Sequence, residues 1–143
     1  MLSRSVCDAA RALGYLSTAR SAVVVEEVSR ATGLFRPSLA KLMGTLVRKG
    51  FVTTRRGIGG GVALTRHPGS ITLLDLCVAL DDPILAARCL LGGRHPEGDA
   101  LCPAGGLERR HHREILAFLA RTSVVDVAGA FPEPRHPEEA APP

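Results

Sequence analysis

A chain of 143 residues with 45% hydrophobic and 22% charged side chains has the apolar content for a core, forms one domain or one domain with an appendage, and is not a disordered polymer. Its 18 Lys+Arg against 14 Asp+Glu leave a net charge of +4, and four Phe, one Tyr and no Trp argue against the aromatic platforms that hold single-stranded nucleic acid. No apolar run approaches the roughly 18 residues that span a bilayer, and Met1 leads into Leu-Ser-Arg rather than an apolar export segment, so a cytoplasmic protein with no membrane partner is expected.

Leu2 to Thr18 carries Val6, Ala9, Ala10, Leu13 and Leu16 at helical spacing, which predicts a first helix with Asp8 near its start. A second, short helix is expected from about Val25 to Ala31, stopped by Thr32-Gly33. The third begins near Arg36-Pro37, where proline is tolerated in a first turn. It sets Leu39, Leu42, Met43, Leu46 and Val47 on one side and ends at Gly50. Two short helices joined at Gly33 form a helix-turn-helix.

Two β-rich stretches follow, Phe51 to Thr54 and Val62 to Thr65, around Arg55-Arg56-Gly57-Ile58-Gly59-Gly60-Gly61. They predict a hairpin whose tip holds four glycines and two arginines, so the unit reads as a winged helix. Glycines let backbone N–H groups approach a phosphate or enter a narrow groove, and Arg55 and Arg56 add charge. From Val28 to Leu74 the sequence has eight Lys/Arg and no acid (Arg30, Arg36, Lys41, Arg48, Lys49, Arg55, Arg56 and Arg66). A solvated face mixes signs, whereas a cluster of cations suits a polyanion.

Thr72 is placed to cap a helix over Leu73 to Leu80, with Asp75 at its third position. A short helical piece near Ile84 to Leu90 follows Pro83. Leu91 to Gly106 reads as a Gly/Pro-rich loop, and Leu107 to Arg121 as a helix on which His111 and His112 face solvent. Thr122 or Ser123 caps a last turn through Val127. The tail from Phe131 to Pro143, with five prolines and three glutamates, is expected to be disordered.

The four cysteines suit metal or redox chemistry rather than a disulfide framework. Cys7 and Cys77 fall inside predicted helices as small core residues. Cys89 and Cys102 flank the loop with His95 between them, a donor set suited to iron–sulfur or zinc, although two free thiols and a surface histidine fit the spacing as well.

The segments Pro37-Ser38-Leu39-Ala40-Lys41-Leu42 and Leu46-Val47-Arg48-Lys49-Gly50-Phe51-Val52 carry a family resemblance. With them go the wing from Arg56 to Leu64 and the helix start Ile71-Thr72-Leu73-Leu74-Asp75-Leu76. Together they resemble the Rrf-two (Rrf2) family of bacterial winged-helix regulators. The resemblance implies a mainly α fold with a small β-hairpin wing, a winged helix-turn-helix plus a long dimerisation helix. It implies a homodimer on double-stranded DNA, with the third helix in the major groove and the wing in the minor groove. On this basis Arg36, Pro37, Ser38, Lys41, Arg48, Arg55, Arg56, Gly59, Gly60 and Gly61 are the candidate DNA-binding residues. Residues 1–70 form the DNA-binding domain, 71–130 the cluster-binding loop and dimerisation helix, and 131–143 the tail.

Cluster-binding members of the family carry three loop cysteines. Cys89 and Cys102 match the first and third, and His95 stands in the place of the second. In one subgroup a carboxylate near the start of the first helix, supplied by the other subunit, completes the set, and Asp8 matches it. A two-iron, two-sulfur (2Fe-2S) cluster on Cys89, Cys102, His95 and Asp8 is therefore implied. His95 in the place of the second cysteine is the main departure; Val62 also replaces an aromatic residue, Ala40 an acidic base reader of one relative, and Gly105 a histidine ligand used elsewhere in the family. The function implied is a DNA-binding regulator, a repressor, under redox or nitric-oxide control. A clusterless thiol switch of the same family and a small iron–sulfur electron carrier are the alternatives. The sequence has no nucleophile–base pair or cofactor fingerprint of an enzyme.

Overall fold

The computed structural model describes residues 1–86 and 105–130. Helix α1 (Arg4–Thr18) starts at Ser3, whose hydroxyl accepts from the Val6 N–H at 3.4 Å, so Leu2 stands outside the helix expected to contain it. Helix α2 (Val25–Thr32) stops at Gly33, left-handed at φ 69°. Helix α3 (Arg36–Arg48) follows at once, with proline in its first turn as expected. On α3, Leu39, Met43 and Leu46 are buried, while Leu42 and Val47 reach the core only partly. The Tyr15 hydroxyl donates to Glu27 at 3.0 Å and pins α1 to α2.

Strands β1 (Val52–Arg55) and β2 (Gly61–Leu64) pair antiparallel, from Val52 opposite Leu64 to Arg55 opposite Gly61. Arg55 is thus a strand residue rather than a tip residue, and Phe51, expected in the strand, is a buried residue just before it. The hairpin is fastened to the helices by a two-way bridge: the Val23 N–H donates to the Val62 carbonyl at 2.9 Å and the Val62 N–H to the Val23 carbonyl at 2.8 Å. Gly61 makes that approach possible. Its φ is 142°, and a Cβ there would run into the Val23 carbonyl oxygen.

Helix α4 (Leu73–Ala79) is capped as expected by Thr72, in a full capping box with Asp75. Helix α5 (Gly105–Arg121) takes in Gly105 and Gly106, which the sequence had assigned to the loop. Helix α6 (Val124–Ala128) has its own capping box, Ser123 with Asp126. The two capped starts lie side by side. The Leu73 N–H donates to the Thr122 carbonyl and the Val124 N–H to the Ile71 carbonyl, both at 2.9 Å. The core is one cluster that draws Val6, Ala9 and Leu13 from α1, Val28 from α2, Leu39 and Leu46 from α3, Leu76 and Cys77 from α4, and Val124 from α6.

Cys77 is buried as expected and its thiol is pushed up to about 11, first by burial and then by the nearby Asp82 and Cys7. Cys7 is only half-buried. His112, expected in solvent, is half-buried with Nε2 2.9 Å from the Ile84 carbonyl oxygen, so it joins α5 to the 3-10 turn Pro83–Leu85. The expected helical piece near Ile84 is seen only as that turn, since residues 87–90 lie outside the described residues. So do the loop with Cys89, His95 and Cys102, and the tail from Phe131.

Asp82 is 3% exposed and closes the molecule from end to end. Its carboxylate accepts from the Ser3 N–H and from the Ile84 N–H, each at 2.8 Å, joining the start of α1 to the turn after α4. Burial pushes this carboxyl up, but the hydrogen bonds from Ile84 and Ser3 outweigh it and the net direction is down. Asp82→Ala strands two partly buried N–H donors and is expected to cost on the order of 1–3 kcal/mol in chemical denaturation. Because the folded pKa lies below the unfolded one, Asp82 stabilises above the ordinary carboxylate range and this contribution is lost as pH falls through the folded value. The stability gap between wild type and Asp82→Asn should therefore narrow on acidification.

Candidate nucleic-acid interface

The buried face of α3 leaves Arg36, Pro37, Ser38, Ala40 and Lys41 exposed at its first turns. The helix start has no side-chain cap and no acid in its own first turn; the acid nearest it is Glu26 of α2, paired with Arg36. Arg48 is exposed at the far end and donates to the Thr45 hydroxyl at 2.9 Å. On the hairpin Arg55 and Arg56 are exposed, as is Gly59, while Gly60 and Gly61 are half-buried. Gly60 and Gly61 therefore shape the wing from inside. A Cβ on Gly60 would run into the Arg55 carbonyl oxygen.

Eight cations between Val28 and Leu74 do not give eight free charges. Arg36 Nε lies 2.6 Å from Glu26, on the helix before it. Arg66 stacks over the Phe51 ring at 4.8 Å. Among the described residues Lys41, Lys49, Arg55 and Arg56 have neither an ion pair nor a ring contact. The pairing of Glu26 with Arg36 escaped a reading by charge runs because Glu26 lies just outside the acid-free stretch; the turn at Gly33 folds α2 back and brings the two together.

Asp8 lies in the second turn of α1, past the first turn where an acid chiefly serves the helix dipole. Its side chain is 24% exposed and, among the described residues, has only a 3.8 Å contact with Arg4. It lines a cleft of about 1070 Å³ between α1 and α3, shared with Arg4, Ser38, Lys41 and Thr45. A second carboxylate went unnoticed in the sequence. Glu108, six residues after Cys102, has its Oε1 buried with no hydrogen-bond partner among the described residues. It lines a cavity of about 560 Å³ with Ile84, His111 and His112. No three metal-binding side chains converge among the described residues.

Two helices meeting at Gly33, the second with an open polar face, and a glycine-tipped hairpin bridged to them define a winged helix-turn-helix protein. Residues 2–130 match the family model Rrf2, described as an iron-dependent transcriptional regulator, and the chain belongs to that family. It is 38% identical over 115 residues to protein aau3 of Rhizobium meliloti, covering 76% of this chain and 71% of that protein. It is 30% identical over 105 residues to the HTH-type transcriptional regulator IscR of Xenorhabdus nematophila, covering 73% and 63%. The matches thus span only about two thirds of these relatives' own lengths. The structure of CymR, the global cysteine regulator of B. subtilis, superposes with a TM-score of 0.72 at 21% identity, over 91% of this chain and 97% of that one, which is a likeness of fold. No described helix is long and apolar enough to cross a membrane.

The Glu26–Arg36 pair is exposed at both ends and belongs to a class that contributes less than about 1 kcal/mol. Glu26→Gln should leave the thermal midpoint nearly unchanged but release Arg36, so the variant should elute from a heparin column at higher salt than wild type.

Proposed function

We propose that the protein is a homodimeric, DNA-binding transcriptional regulator of the repressor type, whose affinity for duplex DNA is set by a 2Fe-2S cluster. The observation that carries the DNA reading is the open, uncapped, acid-free start of α3, with Ser38 and Lys41 exposed on it. Ser38 and Lys41 contact the major groove, and Arg36 does so on release from Glu26. The wing supplies Arg55 and Arg56 to phosphates and the minor groove, with Gly59, Gly60 and Gly61 giving its shape; Pro37 fixes the entry to α3, and Arg48 contacts the backbone. Leu107 and Phe118 are exposed apolar residues eleven positions apart on one face of α5, the stripe an isologous dimer would cover.

The donor set fits an iron centre. Among the described residues Asp8 has only the 3.8 Å contact with Arg4, and Glu108, near the start of α5, has an oxygen without a hydrogen-bond partner. Cys89, Cys102 and His95, with Asp8 of the partner subunit, would hold the cluster, which when bound supplies an iron–thiolate centre that reacts with oxidants and nitric oxide. Asp8 shares its cleft with Ser38, Lys41 and Thr45, so a ligand engaged there bears on the wall against which α3 is set. Residues 1–70 thus act as the reading head and 71–130 as the sensing and dimerising part.

Anaerobic purification with iron and sulfide analysis tests the cluster: a brown protein absorbing at roughly 400–450 nm is expected, and bleaching by Cys89→Ser. If the protein is colourless and iron-free, and Cys89→Ser alters only the response to oxidant, the thiol-switch reading takes its place. DNA binding is tested separately by salt titration. Lys41→Ala and Arg56→Ala should each reduce the slope of log K against log salt by about 1, while Arg66→Ala should leave it unchanged.

A further inference from the structure

The wing tip carries a side chain that the fold does not need. Ile58 is fully exposed, at 110% of its reference area, and is the most exposed large apolar residue after Met1 among the described residues. It occupies the second position of a tight turn closed by the Gly60 N–H donating to the Gly57 carbonyl at 3.0 Å, with Gly59 at φ 74° in the third position. A glycine of positive φ in that place marks a type II turn, whose second position favours proline and gains nothing from a β-branched side chain. Ile58 reaches no part of the core. A folding role therefore does not account for an isoleucine held out at the end of the hairpin.

Its surroundings indicate what it meets. Arg55 and Arg56 flank the turn on one side, both exposed and without ion pairs among the described residues, and the stretch from Val28 to Leu74 holds no acid. A lone apolar tip beside two cations does not suit an apolar protein surface, which would leave the arginines desolvated and unpaired. It suits a partner with phosphates at its rim and an apolar floor of sugar and base edges. The closed turn and the bridge of Val62 to Val23 hold the tip on the helices, so little ordering is required on contact.

We infer that Ile58 is an apolar wedge that enters the minor groove of duplex DNA and partly opens a base step, while Arg55 and Arg56 engage the flanking phosphates. The inference rests on the DNA-binding reading above and goes beyond it. It assigns to the wing a hydrophobic contact and a deformation of DNA, where charge and glycine alone would give an undeformed groove.

The test uses the full chain and a duplex recovered from a randomised pool by the wild-type protein, with 2-aminopurine substituted in turn for adenines across the wing-proximal steps. Wild type should raise 2-aminopurine fluorescence at one step. Ile58→Ser should abolish that rise and weaken binding about tenfold, with an unchanged salt slope because no phosphate contact is lost. Ile58→Met, which keeps an apolar tip, should restore most of the signal. The proposal is overturned if Ile58→Ser binds with wild-type affinity, or if fluorescence rises equally with both proteins. If wild type shows no salt-dependent retention of any duplex, the DNA-binding reading falls and the wedge with it. Since Ile58 touches nothing in the core, unchanged thermal unfolding of Ile58→Ser will separate these results from misfolding.

Discussion

Ala9, Ala10 and Ala12, set among the larger buried Val6, Leu13 and Leu16, give α1 stretches of buried surface with little side-chain bulk, and neighbouring elements approach closely there. Gly14 extends that surface: a Cβ there would sit 3.1 Å from the Ala128 Cα, so α6 crosses closer than a larger residue would allow. On its other sides α1 packs against α2, α3, α4 and the second strand. A single fifteen-residue helix is thus the common wall for the recognition unit and for the part that follows it. Interiors packed at crystal-like density pass displacement on rather than absorb it.

The polar contacts follow the same geometry. Asp82 ties the first residues of α1 to the turn after α4, and Tyr15 ties the last turns of α1 to α2. His112 brings α5 to the same turn. Asp82 is buried, so its two hydrogen bonds carry more weight than the exposed pair of Glu26 and Arg36. Helix α1 is therefore tied by hydrogen bonds at both of its ends, to the turn after α4 at its start and to α2 near its finish.

Local signals in the sequence made most of this fold legible. Gly33 ends α2, Pro37 opens α3, and Thr72 and Ser123 cap α4 and α6, each through a chemistry confined to four or five neighbouring residues. What escaped depends on residues far apart in the chain. Glu26 meets Arg36 only because the turn between two helices reverses the chain; Asp82 meets Ser3 across 79 positions; and His112 finds a backbone carbonyl 28 positions away. The hairpin has the register that the two β-rich stretches imply, Thr54 opposite Val62, and the pairing runs one pair further toward the tip, to Arg55 opposite Gly61. Of the candidate cluster ligands, Asp8 alone lies among the described residues, and its exposure and its cleft beside α3 were not legible in the sequence.

Charge shows the same division between what a count reveals and what geometry decides. The eight cations from Val28 to Leu74 all contribute to the field at long range, where pairing and stacking matter little, and so all of them steer a polyanion toward this face. Once the surfaces meet, only groups that reach phosphates count. Arg66 stacks on Phe51 and Arg36 pairs with Glu26, which leaves six others, among them Lys41 at the start of α3 and Arg55 and Arg56 on the wing. The bound state therefore depends on fewer charges than the encounter. Between those charges stand the exposed Ser38 on α3 and the exposed apolar Ile58 at the tip of the wing.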